Sequence, residues 1–163
     1  MIFGHDRDNG LTKPLMLNGL EIEFISEWKY LGTTIVAGKS FSFSARTDIS
    51  SFYRAANSVL NVLTDAPENV LMSLLYTNCI PIISYACSVK RYSSSDMTDC
   101  NTAINSIIRK IFNFQNRLSV RTLREIGGYK SIYIIFAEAQ KKFLTDAQKH
   151  SNPVVKHLSS VVV

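Results

Sequence analysis

The sequence predicts an α+β chain, mostly α: a small N-terminal antiparallel hairpin or sheet remnant, then a bundle of about five helices. Three observations point there. Apolar and acidic residues alternate with period two at Leu20, Glu21, Ile22, Glu23 and Phe24, the pattern of a strand with one wet face. From residue 46 onward apolar residues recur at helical spacing instead. Charge divides at nearly the same place. Residues 1–38 hold three basic and five acidic side chains, net −2, and residues 39–163 hold fifteen basic and eight acidic, net +7. Such a shift in composition marks a boundary, so the chain divides into 1–38, a β head, and 39–163, a helical body.

The elements follow in order. Asn18-Gly19 stands between Leu15-Met16-Leu17 and the alternating run, and both residue types tolerate the positive φ of a tight type I′ turn. Residues 28–36, rich in aromatic and β-branched side chains, read as a third strand, with Gly32 at a bulge or a close backbone approach. Three strands make too small a sheet to stand comfortably alone. Between 46 and 63, Ile49, Phe52, Tyr53, Ala56, Val59, Leu60 and Leu63 share one helical face, opposite Arg46, Ser50, Arg54, Asn57 and Asn61. Pro67-Glu68 suits a helix start. Ser93, Ser94, Ser95 and Asp96 are N-cap residues before a helix with Met97, Cys100, Ile104, Ile107, Ile108, Ile111 and Phe112 inward. Ser119 is placed to cap a short helix that stops at Gly127-Gly128. The last predicted helix runs from about residue 131 to 150, where Asn152-Pro153 ends it.

With 163 residues, 46% of them hydrophobic and 19% charged, the chain can bury a core and is not disordered by composition. Its net charge of +5 favours an acidic partner, most simply nucleic acid. Three cysteines, Cys79, Cys87 and Cys100, cannot all pair and form no CxxC, which argues against a disulfide scaffold and a tetrahedral zinc site and fits a reducing compartment. The opening MIFGHDRDNG has no basic-then-apolar leader. The expected localisation is intracellular, in cytoplasm or nucleus.

Residues 69–89 carry no charge and Lys90-Arg91 follow directly. Twenty such residues can cross a bilayer about 30 Å thick, with the basic pair facing the cytoplasm. Ser73, Thr77, Asn78, Pro81, Ser84 and Ser88 interrupt the run, and Asn78 near a mid-helix proline is costly in lipid. A buried core helix is the better expectation. Catalytic groupings are sparse. Asp6 and Asp8 flank Arg7, and Glu21 and Glu23 share a strand face, but neither pair has the third acid or glycine-rich turn of two-metal chemistry. Both read as solvated carboxylates. His5, His150 and His157 form no ligand pair, and no GxSxG, P-loop or Rossmann pattern occurs. The catalytic residues and metal ligands expected are none.

Four short motifs in order carry a resemblance. Trp28-Lys29-Tyr30-Leu31-Gly32 with Thr33-Thr34-Ile35 resembles the KYLG strand of non-LTR, LINE-type retrotransposon reverse transcriptases. Ile80-Pro81-Ile82-Ile83-Ser84-Tyr85-Ala86 is similar to that family's hydrophobic-proline-tyrosine helix. Residues 107–112 resemble its "lR+i" helix, and Leu118 and Leu123 with Gly127-Gly128 its later "L…L…G" segment. The match spans about residues 1–150. It departs at Lys90, where many relatives carry tryptophan, and at Ala86 in place of glycine.

The resemblance implies a palm-edge hairpin over 1–38 and a thumb-like domain over 39–163. It also implies a fragment of an RNA-directed DNA polymerase, such as a truncated copy of a transposable element. The FADD or YxDD turn that holds the polymerase aspartates does not occur here, so the chain is expected not to be an enzyme by itself. No cofactor is expected, Mg2+ belonging only to the intact polymerase. Its partners would be the phosphate backbone of an RNA–DNA or other nucleic-acid duplex and the missing palm and fingers, with no membrane. A thumb needs cations along helix faces rather than base-reading groups. The candidate nucleic-acid-binding residues are Lys29, Tyr30, Arg46, Arg54, Arg109, Lys110, Arg117, Arg121 and Arg124. Arg117, Arg121 and Arg124 have i, i+4, i+7 spacing and would line one stripe. Tyr30 reads equally as a core residue, and each cation alone as a solvated surface charge. The alternative function is a helical protein-interaction module or a single-pass membrane-associated small protein without a nucleic-acid role.

Overall fold

Asn18 and Gly19 take φ values of 51° and 79°, the paired positive angles that a type I′ turn requires. They reverse the chain between β1 (Leu15–Leu17) and β2 (Leu20–Ile22), with Leu15 opposite Ile22 and Leu17 opposite Leu20. The computed structural model describes residues 1, 3, 15–39, 41–114 and 119–161. Both strands of this hairpin are exposed along their whole length. The expected single wet face is thus corrected: among the described residues no second layer covers the pair, so its alternation marks no buried side, and Phe24 lies beyond the strand.

The strand expected over 28–36 is two strands. Leu31 and Gly32 have φ values of 46° and 78° and turn the chain between β3 (Glu27–Tyr30) and β4 (Thr33–Val36). Gly32 therefore sits in a hairpin turn and not in a mid-strand bulge, since only there are two successive positive φ values needed. A Cβ added at Gly32 would lie 3.4 Å from the Tyr85 ring, an ordinary van der Waals contact. A strand the sequence reading missed, β5 (Ser42–Ser44), pairs with β4 and completes an antiparallel sheet in the order β3-β4-β5. The sheet thus runs past residue 38, and the helices begin after the buried Ala45.

The helical body starts with α1 (Arg46–Val62), which buries Phe52 and Ala56. Pro67, extended, opens α2 (Glu68–Leu74). A π turn (Leu75–Cys79) joins α2 to α3 (Ile80–Ser84), which carries Pro81 in its first turn. Proline has no N–H to give to the preceding turn, and a wider turn just ahead of it accommodates the missing bond. α4 (Ser94–Ile111) is capped by Ser93, whose Oγ accepts from the Asp96 N–H at 3.1 Å. α5 (Arg121–Ile126) begins where Ser119 Oγ accepts from the Arg121 N–H and ends before Gly128, whose φ is 68°. Ser131 caps α6 (Ile132–Lys149). Asn152-Pro153 does not end the helical body: Asn152 Oδ1 accepts from the Val154 N–H and Pro153 starts α7 (Pro153–Val161), packed on α6. Proline is as well suited to a helix's first position as to the stretch after one.

Met72, Leu75, Cys79, Ile80 and Ile83 from the α2–α3 segment meet Phe52 of α1, Cys100, Ile104, Ile107 and Ile108 of α4, and Phe136 of α6 in one core. Each large side chain contributes about 1.5–3 kcal/mol through burial. The uncharged 69–89 run is thus a broken core helix, with Asn78 and Thr77 on its exposed side. Among the described residues no helix is long and apolar enough to cross a membrane. All three cysteines are buried and unpaired.

Candidate nucleic-acid interface

α4 ends in two consecutive cations, about 100° apart around the helix, and each meets a different neighbour. Lys110 Nζ donates to Asn57 Oδ1 of α1 at 3.2 Å. Arg54 lies one turn before Asn57 and donates to Ser51 Oγ. Arg109 instead lines a cavity of about 540 Å3 between α4, α5 and the start of α6, together with Arg121 and Arg124. Of the nine expected residues, Arg109, Arg121 and Arg124 line this one cavity, while Lys110 turns to α1, the helix that carries Arg54.

The two α5 arginines behave differently. Arg121 is exposed and bonds Glu125 one turn on, Nε to Oε1 at 2.7 Å, an ion pair that contributes little in water. Arg124 is 8% exposed. Its Nη2 donates to Asn105 Oδ1 at 2.6 Å, and Nη1 and Nη2 both reach Asn101 Oδ1 at 3.4 Å. The expected single stripe of Arg117, Arg121 and Arg124 is corrected accordingly. α5 starts only at Arg121, so one turn of helix sends Arg121 to solvent and Arg124 inward, and Arg117 lies outside the described residues.

The remaining candidates sit elsewhere. Arg46 lines a separate cleft with Asp96 and Asp99. Lys29 borders a cleft with Gly32, Thr47, Asp48 and Tyr85. Tyr30 is exposed rather than a core residue, since among the described residues all four positions of β3 are exposed. Glu21 and Glu23 are exposed, and Asp6 and Asp8 lie outside the described residues. Among the described residues no three histidine, cysteine, aspartate or glutamate side chains gather.

Two polar arrangements escaped the sequence reading. Asn101 and Asn105 fall at i and i+4 ahead of Arg109, a polar stripe along an otherwise isoleucine-rich helix, and that spacing was visible. Tyr76 borders the same region: its hydroxyl donates to the Lys130 carbonyl and its ring stacks on Tyr129 at 4.5 Å. Burial pushes the Tyr76 hydroxyl above its ordinary pKa, while the nearby Arg124 guanidinium pulls it back in part. The second arrangement is buried. Lys90, expected as a basic flank to the apolar run, is enclosed and paired to Asp48, to whose carboxylate the Tyr92 hydroxyl also donates. Burial, then the bond to Asp48, drives the Tyr92 hydroxyl far above its ordinary pKa.

No family model, curated protein or solved structure matches the chain. What the interface offers is its own chemistry. Guanidinium and ammonium donors stand on three helices, and such donors match the oxygens of an anion.

Proposed function

We propose that the chain is a non-catalytic, thumb-like element of a retrotransposon reverse transcriptase that grips the phosphate backbone of an RNA–DNA duplex. What supports the reading is that Arg109, Arg121 and Arg124, from α4 and α5, line one cavity, while the adjacent Lys110 turns to α1. The order of the KYLG, proline-tyrosine and arginine-isoleucine motifs along the sequence supports it independently. Backbone contacts of this kind bind any sequence and release counterions, so affinity falls linearly with salt on a logarithmic scale.

Fluorescence anisotropy with RNA–DNA duplexes of unrelated sequence tests the reading. Equal affinity across sequences is expected, with a steep loss on adding salt and a shallower slope for the combined R54Q, R109Q, K110Q variant. Absence of binding at low salt overturns it. Primer extension with template, primer and magnesium should give no product.

A protein-interaction role is the second reading. The β1–β2 hairpin favours it, since it exposes Leu15, Met16, Leu17 and Leu20 together.

A further inference from the structure

Among the described residues two cations are buried, and they are treated differently. Lys90, 1% exposed, lies 2.7 Å from the carboxylate of Asp48, so its charge is neutralised within the fold. Arg124, 8% exposed, is held by the neutral oxygens of Asn101 and Asn105 and lies near the Tyr76 hydroxyl. Among the described residues no carboxylate lies within ion-pair distance of it, although Glu125 is its neighbour in sequence and turns instead to Arg121. A buried charge left without a counterion is costly. Two asparagines fix the plane of the guanidinium without consuming its charge, and Arg124 lines a cavity.

We propose that this cavity between α4, α5 and α6 binds a phosphate group, with Arg124 as the central donor. The volume of about 540 Å3 lies within the range of small-ligand sites and exceeds what one phosphate needs. Arg109 and Arg121 also line it, Arg121 already paired to the lining Glu125, and Ser119 and Ser131 bring hydroxyls. A planar guanidinium matches two phosphate oxygens at once. The site goes beyond the duplex grip, because it fills from free phosphate whether or not a duplex is bound.

Isothermal titration of the full chain with inorganic phosphate, at constant ionic strength and without nucleic acid, tests the site. One saturable event per chain is expected. Arg124→Gln should weaken it about tenfold or more, the effect of losing a charge-assisted bond, whereas Lys142→Gln, on the exposed side of α6, should leave it unchanged. Since R124Q risks the fold, Asn105→Asp is the second arm. It supplies the missing counterion, so the chain should unfold at the same or a higher temperature while phosphate binding drops about tenfold or more. No saturable phosphate binding by the parent chain, or parental affinity in N105D, overturns the proposal. A 5′-phosphorylated oligonucleotide binding more tightly than its 5′-hydroxyl twin assigns the site to strand ends. Equal binding of the two, with inorganic phosphate still saturating the site, assigns it to the free ion.

Discussion

Lys90 Nζ lies 2.7 Å from Asp48 Oδ2, although 42 positions separate them, and both side chains are enclosed. The Tyr92 hydroxyl donates to the same carboxylate oxygen, and the Lys90 ammonium stands 5.5 Å from the Tyr85 ring centre and 5.7 Å from that of Tyr92. Gln140 of α6 reaches the carbonyls of Cys87 and Lys90. The irregular segment after α3 is thereby tied to the first turn of α1 and to the middle of α6.

Breaking that pair should be costly. Lys90→Met leaves Asp48 buried with only the Tyr92 hydroxyl, and about 3–5 kcal/mol of stability should be lost in urea unfolding. Asp48→Leu combined with Lys90→Met removes both charges and should cost less than either change alone, because no ion is then stranded. A double variant that merely sums the two single losses would show that the pair is not coupled.

Alkali should weaken the fold. Burial, assisted by the charges of Asp96, Asp48 and Asp99, pushes the Cys100 thiol up to about 12 from its ordinary 9.0. The folded chain then keeps a proton that the unfolded chain has released. Stability is full below about pH 9 and is lost progressively as pH climbs towards 12. The raised Tyr92 and Tyr76 hydroxyls act in the same direction from about pH 10. Melting temperatures across pH 8–11 check the sign, and Cys100→Ala should flatten the early part of the fall. At pH 8 a thiol reagent should modify the three buried cysteines only after denaturation.

Gly127 and Gly128 should fail for different reasons. A Cβ on Gly127 would lie 2.6 Å from the Tyr129 ring, which cannot yield while stacked on Tyr76. Gly127→Ala should therefore cost about 1–3 kcal/mol from overcrowding, and Tyr129→Ala in the same chain should recover part of it. Gly128 has open space but a φ of 68°, so Gly128→Ala costs about 1 kcal/mol from the backbone alone, with no rescue by Tyr129→Ala. Denaturation of the four variants separates the two causes.

The exposed hairpin should limit solubility without supporting the fold. Leu17→Lys with Leu20→Lys replaces a facing pair that is 62% and 75% exposed. Solubility should rise while the melting temperature stays within about 1–2 °C, as expected where no burial is lost. A large drop in melting temperature would show that the hairpin is held by something the strands themselves do not reveal.

Much of this architecture was legible because local chemistry decides it. Asn18-Gly19, Pro67, Ser93, Ser131 and Gly127-Gly128 each mark the turn, cap or stop that their side chains or torsions dictate. The misses fall where distant contacts decide. Leu31 adopts a positive φ that its type disfavours, because strand pairing demands a turn there. Pro153 reads as a stop from upstream and as a start from downstream. In the candidate interface the cations were visible as a set. Which of them goes inward was not, because that depends on where α5 begins and on the two asparagines of α4. Lys90 looked like a solvated flank until Asp48 was found beside it.

The extra residue in the π turn at Leu75–Cys79 works as a phase slip. Upstream of it the helix packs on α1 and α4, and downstream on α1 and α6. A single regular helix could not aim one apolar flank at both directions. Deleting one residue between 75 and 79 should relax the coil to an ordinary pitch and swing Ile83 away from the interior by about 100°. The segment would then keep its hydropathy yet lose its contact with α6, so the gearing of this rod, more than its greasiness, sets where the last third of the chain docks.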